Sequence, residues 1–212
     1  MKDIPAFTTE NGAASLVLKE IAYQGKAYFI IRDSLSPEEL IKECVDFCCA
    51  CGAEEIYGSG HVFLERWPFY TSLVRMRGSV STLMDTDAAL WPVQETTAET
   101  WREIYNSTIK RVPNAAWMTR TNCQRMVEKG TGYFVHRGEE LLGIGMVDND
   151  TIEWICAVKD GCGRDVLSAL SHAIVGDTVL LTVATRNERA VRFYEKNGFI
   201  KVSELSRWYR LK

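Results

Sequence analysis

The sequence predicts an α/β protein. Short β-rich runs alternate with amphipathic helical segments along the whole chain. The run Thr178–Ala184 is apolar and rich in β-branched residues, which is typical of a strand that is buried on both faces. One helical segment precedes this run and another follows it, and such alternation is typical of βαβ units.

Composition places the chain among ordinary folded proteins. Its 212 residues suffice for one large domain or two small ones. With 25 Lys+Arg against 28 Asp+Glu, the formal net charge is -3, which argues against a nucleic-acid-binding protein. No apolar run reaches the roughly 18 residues of a membrane span, and the start MKDIPAFTTENGAAS lacks the apolar core of a signal peptide. We therefore expect a cytoplasmic protein without nucleic-acid or membrane partners.

The N-terminal part of the sequence alternates short strand and helix signals. Residues 14–31 predict two strands that are joined by a hairpin turn at Gln24-Gly25. The segment Ser36-Pro37-Glu38-Glu39 is a capping box with proline at the first helical position, and it predicts a helix to about Cys51. Two further strands are expected, at residues 54–57 and 69–77.

A fresh pattern begins after residues 79–90, which are small, polar and weakly periodic and therefore predict a linker. From Trp91 onward, the predicted order of elements is βααβββαβαβ. We predict two domains, an N-terminal αβ domain at residues 1–88 and a second domain at residues 89–212. Each half has a hairpin, then a helix, then a β-rich end, and this similarity raises the hypothesis that the first half is a degenerate second copy.

Seven cysteines include a cluster of four, Cys44, Cys48, Cys49 and Cys51. A zinc site would need a second pair of ligands elsewhere, but the three histidines lie singly. Cys44 and Cys48 are four residues apart among apolar neighbours, as in the buried stripe of a helix. We expect reduced thiols in a core and no metal, and a thiol-based redox or metal protein is the alternative.

The most specific stretch is VATRNERAVRFYEKNGF at residues 183–199. In it Asn187, Ala190, Tyr194, Gly198 and Phe199 follow the spacing NxxAxxxYxxxGF. This stretch and the element order before it resemble the GCN5-related N-acetyltransferases (GNAT) over about residues 91–212. The resemblance implies a GNAT-like mixed central sheet flanked by helices, with acetyl-CoA as co-substrate. It also implies direct transfer of the acetyl group to an amine.

The residues of this motif also have a physical interpretation. Asn187 is placed to cap a helix and would order the cofactor side of that helix. Tyr194 lies on the same helix face two turns later, where its phenol could donate a proton to a departing thiolate. Gly198 would end the helix, and Phe199 would fill the core. Taken singly, each residue has a simpler interpretation, a cap or a packing residue, and the joint pattern favours the functional one.

A glycine loop is the second motif. In the GNAT family, backbone N–H groups of a (Q/R)xxGx(G/A) loop hold the CoA pyrophosphate at the start of a helix. Here Gly161 and Gly163 flank Cys162, and Arg164 adds a cation. Val158 stands where the family has Gln or Arg, and the loop before the glycines is shorter than usual. These departures leave two alternatives: a shortened loop that still binds CoA, or a fold that has lost its CoA site. We favour the first.

The strand before this loop carries the remaining candidates. Glu153 is the candidate base for the incoming ammonium, as a glutamate on this strand serves in some family members, and water is the alternative. Strict alternation places Glu153 on the face of Ile155 and opposite to Ile152. The resemblance implies that the strand splays from its neighbour so that its backbone pairs with the pantetheine arm, at Cys156, Ala157 and Val158. Cys156 is not expected to act as a nucleophile, because no histidine is near it in sequence.

The sequence thus predicts an N-acetyltransferase that moves an acetyl group from acetyl-CoA to an amine, a small molecule or a peptide. Tyr194 would be the acid, Glu153 or water the base, and Gly161, Gly163 and Arg164 the pyrophosphate site. The alternative is a non-catalytic acyl-CoA-binding or partner-binding module on the same fold, which Val158 and the short loop favour. Exposed strand edges, common in this fold, make a homodimer one candidate assembly.

Overall fold

The structure, a computed structural model, describes residues 5–109 and 112–212. These residues form eleven strands, six α-helices and two 3-10 helices. The chain divides into two compact units, one that takes the chain up to Leu73 together with Glu204–Lys212, and one of Val74–Ser203. Both units combine parallel and antiparallel strand pairs with packed helices, so the predicted mixed α/β class is confirmed. Within the described ranges, no helix is long and apolar enough to cross a membrane.

The first unit begins with three antiparallel strands, β1 (Ala6–Thr9), β2 (Gly12–Val17) and β3 (Lys26–Ser34). A short helix, α1 (Ile21–Gln24), joins β2 to β3, so the predicted hairpin turn at Gln24-Gly25 is wrong. Gly25 instead ends α1 in the left-handed conformation, with φ of 68°, and its N–H donates to the carbonyl of Ile21. A glycine suits both features because each needs positive φ, which is why the sequence alone did not separate them.

Helix α2 (Pro37–Ala50) crosses from β3 to the parallel strand β4 (Glu55–Ser59). The helix begins at Pro37 as predicted, although the Ser36 side chain makes no capping hydrogen bond. Its buried face consists of Leu40, Ile41, Cys44 and Cys48. The core position predicted for Cys44 and Cys48 is therefore confirmed, and burial raises the pKa of both thiols to about 12. The described residues contain no cluster of three His, Cys, Asp or Glu that could hold a metal ion.

The second unit begins within β5 (Phe69–Ser79) and ends within β11 (Ile200–Arg210), so both strands are divided between the two units. Its elements are β6 (Ala89–Pro92), α3 (Ala98–Ile109), α4 (Arg120–Lys129), β7 (Gly132–Arg137), β8 (Glu140–Asp148), β9 (Thr151–Ala157), α5 (Gly163–Ser171), β10 (Thr178–Ala184), α6 (Glu188–Lys196) and β11 (Ile200–Arg210). This order matches the predicted βααβββαβαβ. The sheet of this unit has the order β5-β10-β9-β8-β7-β6.

Helices cover both faces of the second sheet. Helix α5 buries Val166, Leu167 and Leu170 against one face, in a core that also holds Val179 of β10. Helices α3 and α4 cover the other face, where Trp101 is fully buried and its indole N–H donates to the carbonyl of Tyr133 at 3.1 Å. The sheet therefore has helices on both faces. Strand β10 itself alternates, with Val179 and Leu181 buried and Thr182 exposed, so the prediction that this strand is buried on both faces is wrong.

The structural units differ from the predicted domains 1–88 and 89–212. The segment predicted as a linker is tied into the second unit, because the Ser79 hydroxyl and the Ser81 N–H both donate to the carboxylate of Asp177. Ala88 lies in the same core. At the other end, β11 returns to the first unit, where Tyr209 lies opposite Gly58 on β4. Residues Val80–Thr82 form a short 3-10 helix, and their composition does not distinguish such a helix from a linker. The pairing of β11 with β4 joins distant segments, so it is not visible in a local sequence pattern.

The two units share an order of elements. In each, three antiparallel strands lead into a crossover helix and then into a strand parallel to the third, as β1-β2-β3-α2-β4 and as β7-β8-β9-α5-β10. This shared topology supports the hypothesis that the first unit is a degenerate copy.

Candidate functional site

The parallel strands β9 and β10 diverge soon after they meet. Leu180 lies opposite Thr151 and Leu181 opposite Ile152, and no further pair joins the two strands in the described part of the chain. On its other edge β9 continues to pair with β8, as far as Ala157 opposite Gly143. The edge of residues 153–157 toward β10 is therefore open, which is the splay that the sequence led us to expect.

A β-bulge lies at the point of divergence. The register of β8 and β9 shifts by one residue between Ile152 and Trp154, so Glu153 is the extra residue. A bulge bends its strand and increases the local twist, which turns the end of β9 away from β10. It also breaks the alternation that was predicted, because Ile152 and Ile155 both pack toward the core under α5. The prediction that these two residues lie on opposite faces is wrong.

A cavity of about 460 Å³ opens beside the end of β9. Its walls come from β9, the glycine loop, the start of α5 and one face of α6, and they consist of Ile155, Ala157, Lys159, Asp160, Gly161, Gly163, Arg164, Asn187, Arg189, Ala190, Phe193 and Tyr194. Most of the residues singled out in the sequence thus meet in one place, namely Ala157, Gly161, Gly163, Arg164, Asn187 and Tyr194.

Four of the predicted site residues do not line this cavity: Glu153, Cys156, Val158 and Cys162. Glu153 is exposed at the bulge, and Cys162 is buried just before α5. The Val158 N–H donates to Leu142 of β8 at 2.9 Å, so it is not available on the open edge. Cys156 packs toward the core under α3 and α4, and burial raises the pKa of its thiol. A thiol with a raised pKa is a poor nucleophile. This environment therefore does not favour Cys156 as a nucleophile.

Two glycines shape the turn between β9 and α5. Gly161 has φ of 84°, a conformation that residues with a side chain rarely adopt, and a Cβ there would meet nothing within 4 Å. At Gly163, a Cβ would lie 3.3 Å from the ring of Phe193, so the missing side chain lets α5 approach α6 closely. The Cys162 side chain makes no capping hydrogen bond to α5. The first turn of α5 therefore keeps N–H groups that can bind an anion.

The charges around the cavity favour an anionic ligand. Lys159, Arg164 and Arg189 line it together with one carboxylate, Asp160, and Glu140 from outside the lining pairs with Lys159. The Arg164 Nε donates to the Asn197 Oδ1 at 3.1 Å, which holds the guanidinium beside the glycine turn. This local excess of positive charge lies in a chain whose net charge is -3, so the excess is specific to the site.

Helix α6 is capped as its sequence predicted. The Asn187 Oδ1 accepts a hydrogen bond from the N–H of Ala190 at 3.3 Å. At the other end Gly198 has φ of 85°, and the N–H of Phe199 donates to the carbonyl of Tyr194 at 3.0 Å. Phe199 is 2% exposed and fills the core. The capping role of Asn187 and the core role of Phe199 are therefore confirmed.

Tyr194 lies where α6 meets the cavity. Its side chain is almost fully buried, and its ring packs against Phe193 and Phe199 with centroids 5.5 and 5.7 Å away. Burial raises the pKa of its hydroxyl, and the nearby thiol of Cys156 adds to the shift. The phenol therefore stays protonated throughout the neutral range and can donate a hydrogen bond into the cavity.

Five lining residues were not predicted as site residues from the sequence: Ile155, Lys159, Asp160, Arg189 and Phe193. Phe193 is three residues after Ala190 on α6, so the two residues share a helix face. Helical periodicity could therefore have identified Phe193 as a lining residue. Ile155 enters through the bulge, which no local pattern marks. Arg189 resembles any surface arginine in the sequence, and only the position of the cavity distinguishes it.

The corresponding loop of the first unit has no such open site. The N–H groups of Leu35 and Ser36 both donate to the Asn11 carbonyl, at 2.9 and 3.2 Å, and Pro37 has no N–H. Glu38 and Glu39 follow in the first turn of α2, where they disfavour an anion. The first turn of α5 has one carboxylate, Asp165, and it is paired with Arg137 at 2.9 Å. Moreover, β3 and β4 remain paired over five residue pairs, as far as Ile30 opposite Ser59. In the described residues, β9 thus leaves β10 after two pairs and leads into the glycine turn, whereas β3 and β4 share five pairs and the loop before α2 donates its N–H groups to Asn11.

Comparison with known proteins agrees with this geometry. Residues 157–209 match a family described as FR47-like protein. No curated protein sequence matches the chain. Among solved structures, a functionally unknown conserved protein from Staphylococcus epidermidis is similar with a TM-score of 0.63 at 12% identity, over 98% of this chain and 93% of that chain.

Two further solved structures carry names that describe their fold family. A GNAT-family acetyltransferase from Colwellia psychrerythraea has a TM-score of 0.52 at 11% identity, over 98% of this chain and 84% of that chain. A tandem GNAT protein from the clavulanic acid biosynthesis pathway has a TM-score of 0.50 at 10% identity, over 94% and 78%. The chain therefore has the fold of the GCN5-related N-acetyltransferase superfamily, and the resemblance predicted from its sequence is confirmed.

Proposed function

We propose that the chain is an acetyltransferase that moves an acetyl group from acetyl-CoA directly to an amine acceptor. One observation carries the proposal: a single cavity holds the open end of β9, the uncapped glycine turn and the buried hydroxyl-bearing residue Tyr194. The open strand edge can pair with amide groups, the glycine turn can bind phosphates, and Tyr194 can donate a hydrogen bond.

The pyrophosphate and the pantetheine arm of the cofactor would be held by this cavity. The N–H groups of Gly161 and Gly163, at the positive end of the α5 dipole, would bind the pyrophosphate with help from Arg164. The open edge of β9 at Ile155 and Ala157 would pair with the amides of the pantetheine arm, as an added strand does at a sheet edge. The thioester would then lie toward Tyr194.

The reaction would proceed in one displacement. The acceptor nitrogen, as the neutral amine, forms a bond to the thioester carbonyl carbon, and the carbon–sulfur bond breaks. The nitrogen gives up a proton, and the sulfur leaves with the electron pair of the broken bond. The Tyr194 hydroxyl donates a hydrogen bond to that sulfur, which stabilises its negative charge until the thiol is formed. A phenol is a weaker acid than a thiol, and burial raises the pKa of Tyr194 further, so hydrogen-bond donation is favoured over complete proton transfer.

The proton of the amine would leave through water. Glu153 is exposed at the bulge and lies outside the cavity lining, and Asp160 is the carboxylate that does line it, at the phosphate end. A water path therefore fits this geometry better than a carboxylate base inside the cavity. We include Glu153→Gln as the direct test: an unchanged kcat would agree with the water path, and a large fall in kcat with unchanged acetyl-CoA affinity would identify Glu153 as the base.

The experiment measures acetyl-CoA binding and turnover by the purified full-length chain. Calorimetry should show saturable binding, and an amine panel with detection of the released thiol should reveal at least one acceptor that is acetylated. Binding without transfer to any amine would favour the acyl-CoA-binding module. A folded sample that neither binds nor hydrolyses or transfers acetyl-CoA would overturn the proposal.

A further inference from the structure

A cavity of about 600 Å³, hereafter the β4 cavity, opens on the first unit where β4 ends. Its walls come from the ends of β3 and β4, from the segment that follows β4, and from β5 and the last part of β11. Every lining residue belongs to the first unit, and none of them lines the cavity beside β9, hereafter the cofactor cavity. The loop before α2 contributes nothing to the lining, so the β4 cavity is not a copy of the glycine-turn site.

A glycine ends β4 and shapes the β4 cavity. The last pair between β3 and β4 joins Ile30 to Ser59. At Gly60 the backbone turns with φ of 97°, and a Cβ there would lie 2.4 Å from the carbonyl oxygen of Ile31, so a side chain does not fit. The chain then leaves the sheet as a 3-10 helix, Val62–Arg66, and β3 continues without a further pair on this edge in the described residues. Strand β4 therefore does not cover the last residues of β3.

A β-bulge brings Arg32 to this cavity. Arg32 is the extra residue in the pairing of β3 with β2, and a bulge changes the direction of the side chain that it carries. The Arg32 Nε donates to the Ser15 Oγ at 2.9 Å, and the residue lines the cavity beside Ile30. In the part of the chain that the structure describes, Arg32 forms no ion pair with a carboxylate. Its two terminal nitrogens can therefore bind an anion in the fork geometry that suits a carboxylate.

Two further hydrogen-bond donors flank Gly60. Ser59 is 2% exposed and lines the cavity, and among the described residues its side chain makes no hydrogen bond. A buried hydroxyl without a partner destabilises the fold, so a ligand atom that bonds to it is favoured. The His61 Nδ1 accepts a hydrogen bond from the N–H of Phe63 at 3.1 Å, so its Nε2 carries a hydrogen and can donate. The guanidinium, the hydroxyl and the imidazole thus line one cavity as donors.

Apolar groups form most of the remaining lining, among them Leu73, Leu205 and Trp208. Trp208 is 7% exposed, and its indole N–H already donates to the Ser206 Oγ at 2.9 Å. Its ring packs edge-on against Tyr28 with centroids 5.6 Å apart, which fixes its orientation. The lining thus offers an apolar surface next to the donors.

The other charged groups of the lining are Glu65 and Arg207. The Arg207 Nε lies 2.6 Å from the Glu204 Oε1, so its charge is already balanced. Glu65 is exposed, and water screens its repulsion of an anion. Arg32 is therefore the lining arginine without a carboxylate partner among the described residues. These charges and the apolar walls favour a ligand that carries one carboxylate on an apolar body.

We propose that the β4 cavity binds a small carboxylic acid with an apolar body, in its carboxylate form. Arg32, Ser59 and His61 would bind the carboxylate oxygens, and Leu205 and Trp208 would contact the apolar body. Free arylalkanoic acids and amino acids with apolar side chains share this chemistry. The inference goes beyond the proposed function and does not rest on it, because the two cavities share no lining residue.

The test is a ligand-observed NMR titration of the full-length chain with 3-phenylpropionate and with its amide, 3-phenylpropanamide. We expect a Kd of about 0.1–1 mM for the acid, as is usual for a ligand of this size, and about tenfold weaker binding of the amide. Arg32→Gln should weaken binding of the acid about tenfold and leave binding of the amide unchanged, because only the acid is charged. Lys42→Gln, an equal charge change at an exposed position of α2, should keep the affinities of wild-type protein.

L-Phenylalanine distinguishes the two sources of the carboxylate. Tighter binding than that of 3-phenylpropionate, with the difference lost in Glu65→Gln, would identify an amino acid whose ammonium lies beside Glu65. Equal or weaker binding would identify an acid without an ammonium. Both results agree with a carboxylate site in the β4 cavity.

The proposal fails if wild-type protein binds the acid and the amide equally well, or binds neither 3-phenylpropionate nor L-phenylalanine up to about 10 mM. It also fails if Arg32→Gln, shown to be folded by its thermal unfolding, keeps the wild-type affinity for the acid. Saturating acetyl-CoA should leave the affinity for the acid unchanged. Displacement of the acid by acetyl-CoA would place the acid in the cofactor cavity and would overturn the proposal.

Discussion

Leu181 of β10 lies opposite Ile152 of β9, and this is the last pair that joins the two parallel strands. One residue later, the bulge at Glu153 bends β9, and the strand runs on for five residues with one edge open. In the first unit, β3 has a similar extra residue, Arg32, in its pairing with β2, but it lies after the five residue pairs that join β3 to β4. The position of one extra residue thus decides where a sheet edge becomes available to a ligand.

The glycine turn provides the first prediction. Gly161→Ala should weaken acetyl-CoA binding about tenfold, because the left-handed backbone disfavours a side chain by about 1–2 kcal/mol and the loop would relax away from the phosphates. Gly176→Ala is the matched control, since Gly176 also has positive φ and open space but lies outside the cavity lining. Both variants should lose similar stability in thermal unfolding, and only the first should lose affinity in calorimetry. Equal affinities of the two variants would contradict the assigned phosphate site.

Replacement of the buried phenol provides the second prediction. Tyr194→Phe should lower kcat about a hundredfold while the Kd for acetyl-CoA changes less than about twofold, because the ring stays and only the hydrogen bond to the leaving sulfur is lost. Tyr23→Phe, in the first unit, should leave both quantities as in wild type. The measurement is steady-state kinetics with an amine identified by the panel. An unchanged kcat in Tyr194→Phe would remove this residue from the reaction.

The ratio of cofactor to chain is the third prediction. The first unit uses the N–H groups of Leu35 and Ser36 within the chain, so we expect one acetyl-CoA per chain and not two. Calorimetry with a protein concentration determined by amino-acid analysis gives this ratio directly. Gly161→Ala supplies the control. If the chain has one site, all of the binding measured for this variant should have lower affinity than in wild type. A ratio of two, or a second class of sites that Gly161→Ala leaves intact, would show that the first unit also binds cofactor.

Alkaline pH should destabilise the fold through the buried thiols of α2. Cys44 and Cys48 have pKa values of about 12 in the folded chain, whereas an unfolded cysteine titrates near 8.5. Above that lower pH the unfolded chain releases these protons first. The free energy of unfolding should therefore keep its full thiol contribution below about pH 8.5 and lose roughly 2 kcal/mol per thiol by pH 10.

Urea unfolding under reducing conditions at pH 7.5, 8.5 and 10 measures this dependence. The double variant Cys44→Ala/Cys48→Ala should be less stable at pH 7.5 because two buried side chains are shortened, but its stability should fall less as the pH rises. Cys51→Ala changes an exposed thiol and should keep the slope of wild-type protein. Parallel slopes for all three proteins would mean that the two buried thiols titrate alike in the folded and unfolded chains.

Local features of the second unit were open to prediction from the sequence. The capping of α6 by Asn187, the turn at Gly198 and the presence of a strand at Thr178–Ala184 each depend on residues within a few positions of one another. The stripe of Cys44 and Cys48 in α2 is likewise a helical periodicity. Such features follow from backbone preferences and from the spacing of apolar side chains, which a single sequence displays directly.

Only the tertiary structure decided which of these features make a site. The bulge at Glu153 arises in the pairing of β9 with β8, and it moved Ile155 into the cavity and left Glu153 outside it. The carbonyl of Asn11 satisfies the loop before α2 from a position far along the chain, and the end of β11 completes the first unit. Such contacts are chosen by competition among distant segments for hydrogen bonds and burial, so the sequence determined the motif, and packing determined what surrounds it.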